Sequence, residues 1–131
     1  MSAPPQGVGS RIKAADIQLP VDMQSTLRVV VAYTQNPLAA KEKYETDWVD
    51  VQTKSGIVYL VNTNVDGTLK IQHSVDDSGT VDYEDSISIT GGQPKSDVVV
   101  ARGFYVRVVY ENGASDQTTF RLLVTAIPLK P

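Results

Sequence analysis

The strongest constraint on this chain is its β patterning: short runs in which apolar and polar side chains alternate, each closed by glycine, aspartate or asparagine. Alternation places successive side chains on opposite faces of an extended strand, whereas a helix needs apolar residues three or four apart. From Ser25 onward, Leu27, Val29, Val31 and Tyr33 alternate with Arg28, Val30 and Ala32 until Asn36 and Pro37 stop the pattern. This predicts a first strand with Leu27, Val29, Val31 and Tyr33 on one face. Further strands are predicted over residues 47–53, 57–62, 68–74, 81–90, 98–102, 105–111 and 118–127. Residues 38–44 hold good helix formers behind Pro37 and read as a long loop or a short helix. Asp66-Gly67, Asp77-Ser78-Gly79, Gly91-Gly92 and Asn112-Gly113 supply the glycines and short polar residues that tolerate positive φ in tight connections. So many short strands with almost no helix predict an all-β fold, an antiparallel, jelly-roll-like β-sandwich over residues 26–131.

The same period selects a core. Phe104, Val106, Val108 and Tyr110 share one side of their segment, opposite Tyr105, Arg107, Val109 and Glu111, and the first set is expected inward. Phe120, Leu122 and Val124 oppose Arg121, Leu123 and Thr125, and Leu69 and Ile71 oppose Lys70 and Gln72. Trp48 is expected in the core, because tryptophan is highly buried on average.

Residues 1–25 are different. They hold Pro4, Pro5 and Pro20 with no strand or helix period, which reads as an extended N-terminal arm. Val8, Ile12, Ile17, Leu19, Val21 and Met23 recur along it, and a free tail has no use for such side chains. The arm is therefore expected to lie on protein surface, with Ile12, Ile17, Leu19, Val21 and Met23 in contact and Arg11 and Lys13 facing acids.

Composition narrows the function classes. The 131 residues, 41% hydrophobic and 21% charged, suit one globular domain. No apolar run nears the ~20 residues of a spanning helix. The N-terminus lacks the apolar stretch of a secretory signal, so cytoplasmic synthesis is expected and no membrane partner. Cysteine is absent, which removes disulfides and thiolate sites. A net charge of -3 argues against nucleic acid as a partner. Charge is uneven: residues 62–90 carry six acids against Lys70, a net of -5, and residues 91–131 carry five bases against three acids, a net of +2. That asymmetry lets one copy face another, although ordinary solvated loops are the favoured account of it.

No constellation for catalysis emerges. His73 precedes Ser74, but in a strand the two point to opposite faces and cannot serve as base and nucleophile. A structural or surface histidine is expected. Asp76, Asp77, Asp82, Glu84 and Asp85 lack the spacing of an EF-hand loop, which leaves a loop-built calcium site as a minor alternative. Nothing pairs two carboxylates across a sugar groove, and phosphate-cradling glycine motifs are missing. The expectation is a non-enzyme with no catalytic residue, no cofactor and no metal. Tyr33, Tyr44, Trp48, Tyr59, Tyr83, Tyr105 and Tyr110 are the aromatics from which a sugar-stacking platform would be drawn, core and rim positions being the ordinary expectation for most.

The strings IQHSVDDSGTVDY and GFYVRVVYENGASDQTTFRLLVTAIP carry a recognisable order. A strand ends at Ser74, an acidic turn runs from Asp76 to Gly79, and an aromatic-led strand bears Arg107. Asn112-Gly113 then forms a hairpin turn, followed by Gln117 and a last strand with Phe120 and Arg121. Over residues 47–128 this resembles a β-sandwich module of tailed-bacteriophage virion proteins, with Tyr83 where that pattern has tryptophan. The resemblance implies a structural virion protein acting as a homotrimer, most simply a capsid decoration or cement protein bound to the major capsid protein or other virion proteins. A carbohydrate- or receptor-binding module of a phage tail is the alternative.

Overall fold

The structure, a computed structural model, describes residues 28–128. The predicted arm therefore lies outside the described residues, and so do Arg11, Ile12, Lys13, Ile17, Leu19, Val21 and Met23. Within them the chain forms nine strands: β1 (Val29–Thr34), β2 (Lys43–Glu45), β3 (Val49–Asp50), β4 (Gly56–Thr63), β5 (Gly67–Ser74), β6 (Tyr83–Ile89), β7 (Lys95–Val100), β8 (Tyr105–Asn112) and β9 (Phe120–Ile127). The described residues contain no helix, so residues 38–44 are a loop that ends in β2.

Two antiparallel sheets face each other. One has the order β1-β9-β4-β7 and the other β2-β8-β5-β6, with β3 paired to β8. Consecutive strands repeatedly cross from one sheet to the other, which is the double Greek-key arrangement of a jelly roll. The expected sandwich is thus present, with nine strands in place of eight.

The core forms where the inward parities meet. Ile57, Val61, Leu69, Ile71, Val106 and Val108 are fully buried. Burying side chains of this size is worth about 1.5–3 kcal/mol each. Tyr110 of β8 and Phe120 of β9 join the two sheets, with ring centroids 4.7 Å apart and planes tilted by 45°.

Four expectations are corrected. In β1 the register shifts between Val30 and Ala32, a bulge that places an extra residue opposite β9. Parity is reversed beyond it: Val31, Ala32 and Thr34 are buried, and Tyr33 is exposed. Phe104 is 56% exposed, because the pleat begins only at Tyr105. Trp48 is half-buried, because Val49 and Val51 take the inward parity and leave the indole outside. Asn112-Gly113 is no hairpin turn, since β8 and β9 lie in different sheets and the connection crosses the sandwich.

The turn glycines divide into two kinds. Gly79 (φ 103°) and Gly92 (φ 80°) do occupy the left-handed region. Gly113 is required for close approach instead: an added Cβ would lie 2.6 Å from the Asp66 carbonyl oxygen, which accepts the Gly113 N–H at 3.0 Å.

Candidate interaction face

The outer surfaces of the two sheets are chemically opposite. On the β2-β8-β5-β6 sheet the outward positions are polar and already bonded to one another. Arg107 donates from Nε (2.9 Å) and Nη2 (2.7 Å) to Gln72 Oε1 and from Nη1 to Glu45 Oε2 (3.3 Å), and its guanidinium sits 4.6 Å over the Trp48 ring. Gln72 donates in turn to Glu84 at 2.9 Å, and Lys70 pairs with Glu111 at 3.1 Å. Arg107 is therefore held within its own sheet.

On the β1-β9-β4-β7 sheet the outward positions are mostly apolar, with Ser96, Thr125, Asn62 and Arg121 as the polar members. The register aligns Tyr33, Leu123, Leu60 and Ser96 in one row across the four strands, and Val30, Thr125, Val58 and Val98 in the next. Ile127, Gly56 and Val100 form a third. Val30, Tyr33, Leu60, Val98 and Val100 are each between 45% and 59% exposed. Adjacent strands lie ~4.8 Å apart, so these rows make a surface roughly 14 Å wide. At its edge a cavity of about 300 Å³ is lined by Tyr33, Gln35, Leu60, Asn62, Arg121 and Leu123 among others. Contiguous exposed apolar surface of this kind marks a contact site.

The sequence contained a signal for this face that period-2 reasoning passes over. Ile57 to Val61, Val98 to Val100 and Leu122 to Val124 are apolar at both parities. A strand that is apolar on both sides is built to be covered on both sides. The strands of the other sheet alternate, as in Leu69-Lys70-Ile71-Gln72.

Most of the predicted chemistry-bearing groups are engaged in holding the fold. His73 is 1% exposed; its Nδ1 accepts the Arg102 N–H at 3.2 Å, leaving Nε2–H to donate to Asp85 at 2.8 Å. Ser74 is buried and donates to Asp82 at 3.4 Å, so neither residue serves the other. Asp82 also accepts the Val75 N–H, and Asp66 accepts the Gly91 N–H. Asp76 accepts the hydroxyl and N–H of Ser78, and these bonds lower its pKa. The acidic run is thus largely occupied with turn hydrogen bonds.

The aromatics do not assemble into one platform. Tyr59 and Tyr110 are buried, and burial raises both phenol pKa values, Tyr59 further raised by Asp97. Trp48 lies under Arg107, Tyr83 packs against His73 and Arg102, and Tyr33 stands on the apolar face.

The family described as Uncharacterised protein YqxG N-terminal domain matches residues 21–126. A search of curated proteins found no match. Among solved structures, the PBSX exported protein XepA is similar at 22% identity and a TM-score of 0.67, over 82% of this chain and 39% of that one. The chain therefore spans about two fifths of that neighbour's length. A structure from work on disulfide-linked pili of Bacillus endospore appendages matches at 13% identity and a TM-score of 0.48, over 79% of this chain and 90% of that one. The fold, a β-sandwich, is what the first of these likenesses shows.

Proposed function

The chain belongs to the YqxG N-terminal domain family, and from that premise we propose that it is a structural virion protein, a capsid decoration or cement protein that works by assembly and catalyses nothing. The observation that carries this reading is the apolar outer face of the β1-β9-β4-β7 sheet, set against an opposite face whose polar groups are bonded to one another. Such a molecule has a sheet face left to bury. Second copies of the chain are its occupant in this reading, giving a homotrimer. Residues 1–25, with Arg11, Ile12, Lys13, Ile17, Leu19, Val21 and Met23, extend from the sandwich to the major capsid protein or a neighbouring copy. Three linked weak contacts then raise avidity without any one being tight. The sequence resemblance to tailed-bacteriophage virion modules supports this role. The likeness to XepA, an exported protein, supports a site on the particle or outside the cell.

Light scattering on the full chain tests the assembly. A trimer is expected, reduced to monomer by Leu60→Lys with the β circular dichroism signal unchanged. A wild-type monomer at high concentration overturns it. Deleting residues 1–24 is expected to abolish co-sedimentation with capsid shells, and undiminished co-sedimentation removes the arm from the mechanism.

A further inference from the structure

At one end of the sandwich the segment after β3 and the segment between β7 and β8 enclose a second cavity, of about 290 Å³. Its walls are fixed: Val51 N–H donates to the Phe104 carbonyl at 2.8 Å, and Ala101 N–H donates to the Ser55 carbonyl at 2.9 Å. Gly103 is pressed so close to the Ser74 carbonyl that an added Cβ would lie 2.3 Å from its oxygen.

Two cations line this space, Lys54 and Arg102, together with Gln52 and the apolar Val75, Ala101 and Phe104. No acid lines it. Lys54 is 8% exposed, and its ammonium has one acceptor, Thr53 Oγ1 at 2.7 Å. The Arg102 guanidinium stacks over the Tyr83 ring at 4.8 Å, which leaves its N–H edges without an acceptor among the described residues. Among the described residues neither cation forms an ion pair. An ammonium removed from water is costly unless an opposite charge and further hydrogen bonds satisfy it. Phe104 and Val75, 56% and 65% exposed, put hydrocarbon surface at the same mouth.

We propose that this cavity binds an acidic side chain of a partner polypeptide, the carboxylate between Lys54 and Arg102 and an adjoining apolar side chain against Phe104 and Val75. A carboxylate on a hydrocarbon stem satisfies both halves of the lining. Inorganic phosphate satisfies only the cations. Arginine's planar fork suits a two-oxygen acceptor, and lysine adds a point charge. The site lies apart from the apolar sheet face and stands whether or not the chain trimerises.

The test is a titration of the isotope-labelled full chain with capped Glu-Leu dipeptide, followed by amide chemical shifts in NMR. Saturable shifts are expected at Lys54, Ala101, Gly103 and Phe104, with binding about tenfold weaker for capped Gln-Leu. Lys54→Met and Arg102→Ala are each expected to abolish the response. Arg102 is exposed, so its replacement keeps the fold even if loss of Lys54 does not. Equal response to Gln-Leu, no response to Glu-Leu, or an unchanged response in Arg102→Ala overturns the proposal. So does saturation by inorganic phosphate alone. No particle enters the measurement, so its failure leaves the assembly reading untouched.

Discussion

The guanidinium of Arg107 lies 4.6 Å from the ring centroid of Trp48, pinned there by two hydrogen bonds to Gln72 Oε1. This fastens the Trp48 side chain to the outer surface of β8, beside the backbone bond from Thr46 N–H to the Val108 carbonyl. Trp48 is the single tryptophan, so its emission reports the contact. Arg107→Ala is expected to shift that emission to the red and to cost about 1–2 kcal/mol in urea unfolding, from the lost stacking and hydrogen bonds. Arg107→Lys is expected to recover only part, since an ammonium lacks the planar fork. Unchanged emission in Arg107→Ala would sink the assignment.

The bulge in β1 separates Val31 from Tyr33, two residues that simple alternation places on one face. Val31→Ala is expected to destabilise the fold by about 2 kcal/mol, because Val31 is buried in the core. Tyr33→Ser is expected to change monomer stability by less than about 0.5 kcal/mol, because Tyr33 stands outside. Denaturant midpoints of the two variants check this, and the opposite ranking would remove the bulge.

Alkaline pH is expected to unfold the protein through Tyr110. Burial, aided by the negative charge of Asp66, pushes its pKa up to about 12 from 10.0. The folded state therefore stays protonated after the unfolded chain has begun to ionise. The stability linked to this group is complete below pH 10 and is lost as pH rises toward 12, an effect of roughly 2–3 kcal/mol. The Tyr110 hydroxyl has no hydrogen-bond partner among the described residues, so Tyr110→Phe is expected to be neutral or stabilising at pH 7. Above pH 10 the variant's denaturant midpoint should fall less steeply than that of the wild type. Parallel curves would refute the linkage.

Asn112 holds the crossing between the sheets. Its buried Nδ2 donates to the carbonyls of Leu38 (3.2 Å), Ala39 (2.9 Å) and Ser115 (2.8 Å). Gln117 completes the tie, accepting the Leu38 N–H at Oε1 and donating from Nε2 to Thr63. Asn112→Ala is expected to cost about 1–2 kcal/mol in thermal or urea unfolding, as it removes the hydrogen bonds from a buried amide to three loop carbonyls. Accelerated amide exchange at Ala40 and Lys41 should accompany the loss, and native protection there would show that the loop is held by something else.

The fold class was legible because alternation and turn chemistry are local. Leu69 and Ile71, Val106, Val108 and Tyr110, and Phe120, Leu122 and Val124 all took their expected inward places. Gly79 and Gly92 likewise adopted the backbone their turns demand. The candidate face was harder to read, because the apolar runs at Ile57 to Val61 and Val98 to Val100 say that both sides are covered without saying by what. The neighbours of Arg107, namely Gln72, Glu45 and Trp48, come from three separate strands or segments, and only the register brings them together.

What the sequence determined by itself was the material: strands, turns, the absence of thiol chemistry, and which face of most strands is apolar. Those follow from side-chain period and backbone sterics, which act over a few residues. Tertiary structure decided the rest. It sent β8 and β9 into different sheets across Asn112-Gly113, reversed the parity of β1 at Val31, and left Trp48 outside under Arg107. It also brought Lys54 and Arg102, distant in the chain, to one cavity. Each of these outcomes depends on which strands pair and how they pack, and pairing is a property of the whole sandwich, which no single segment encodes.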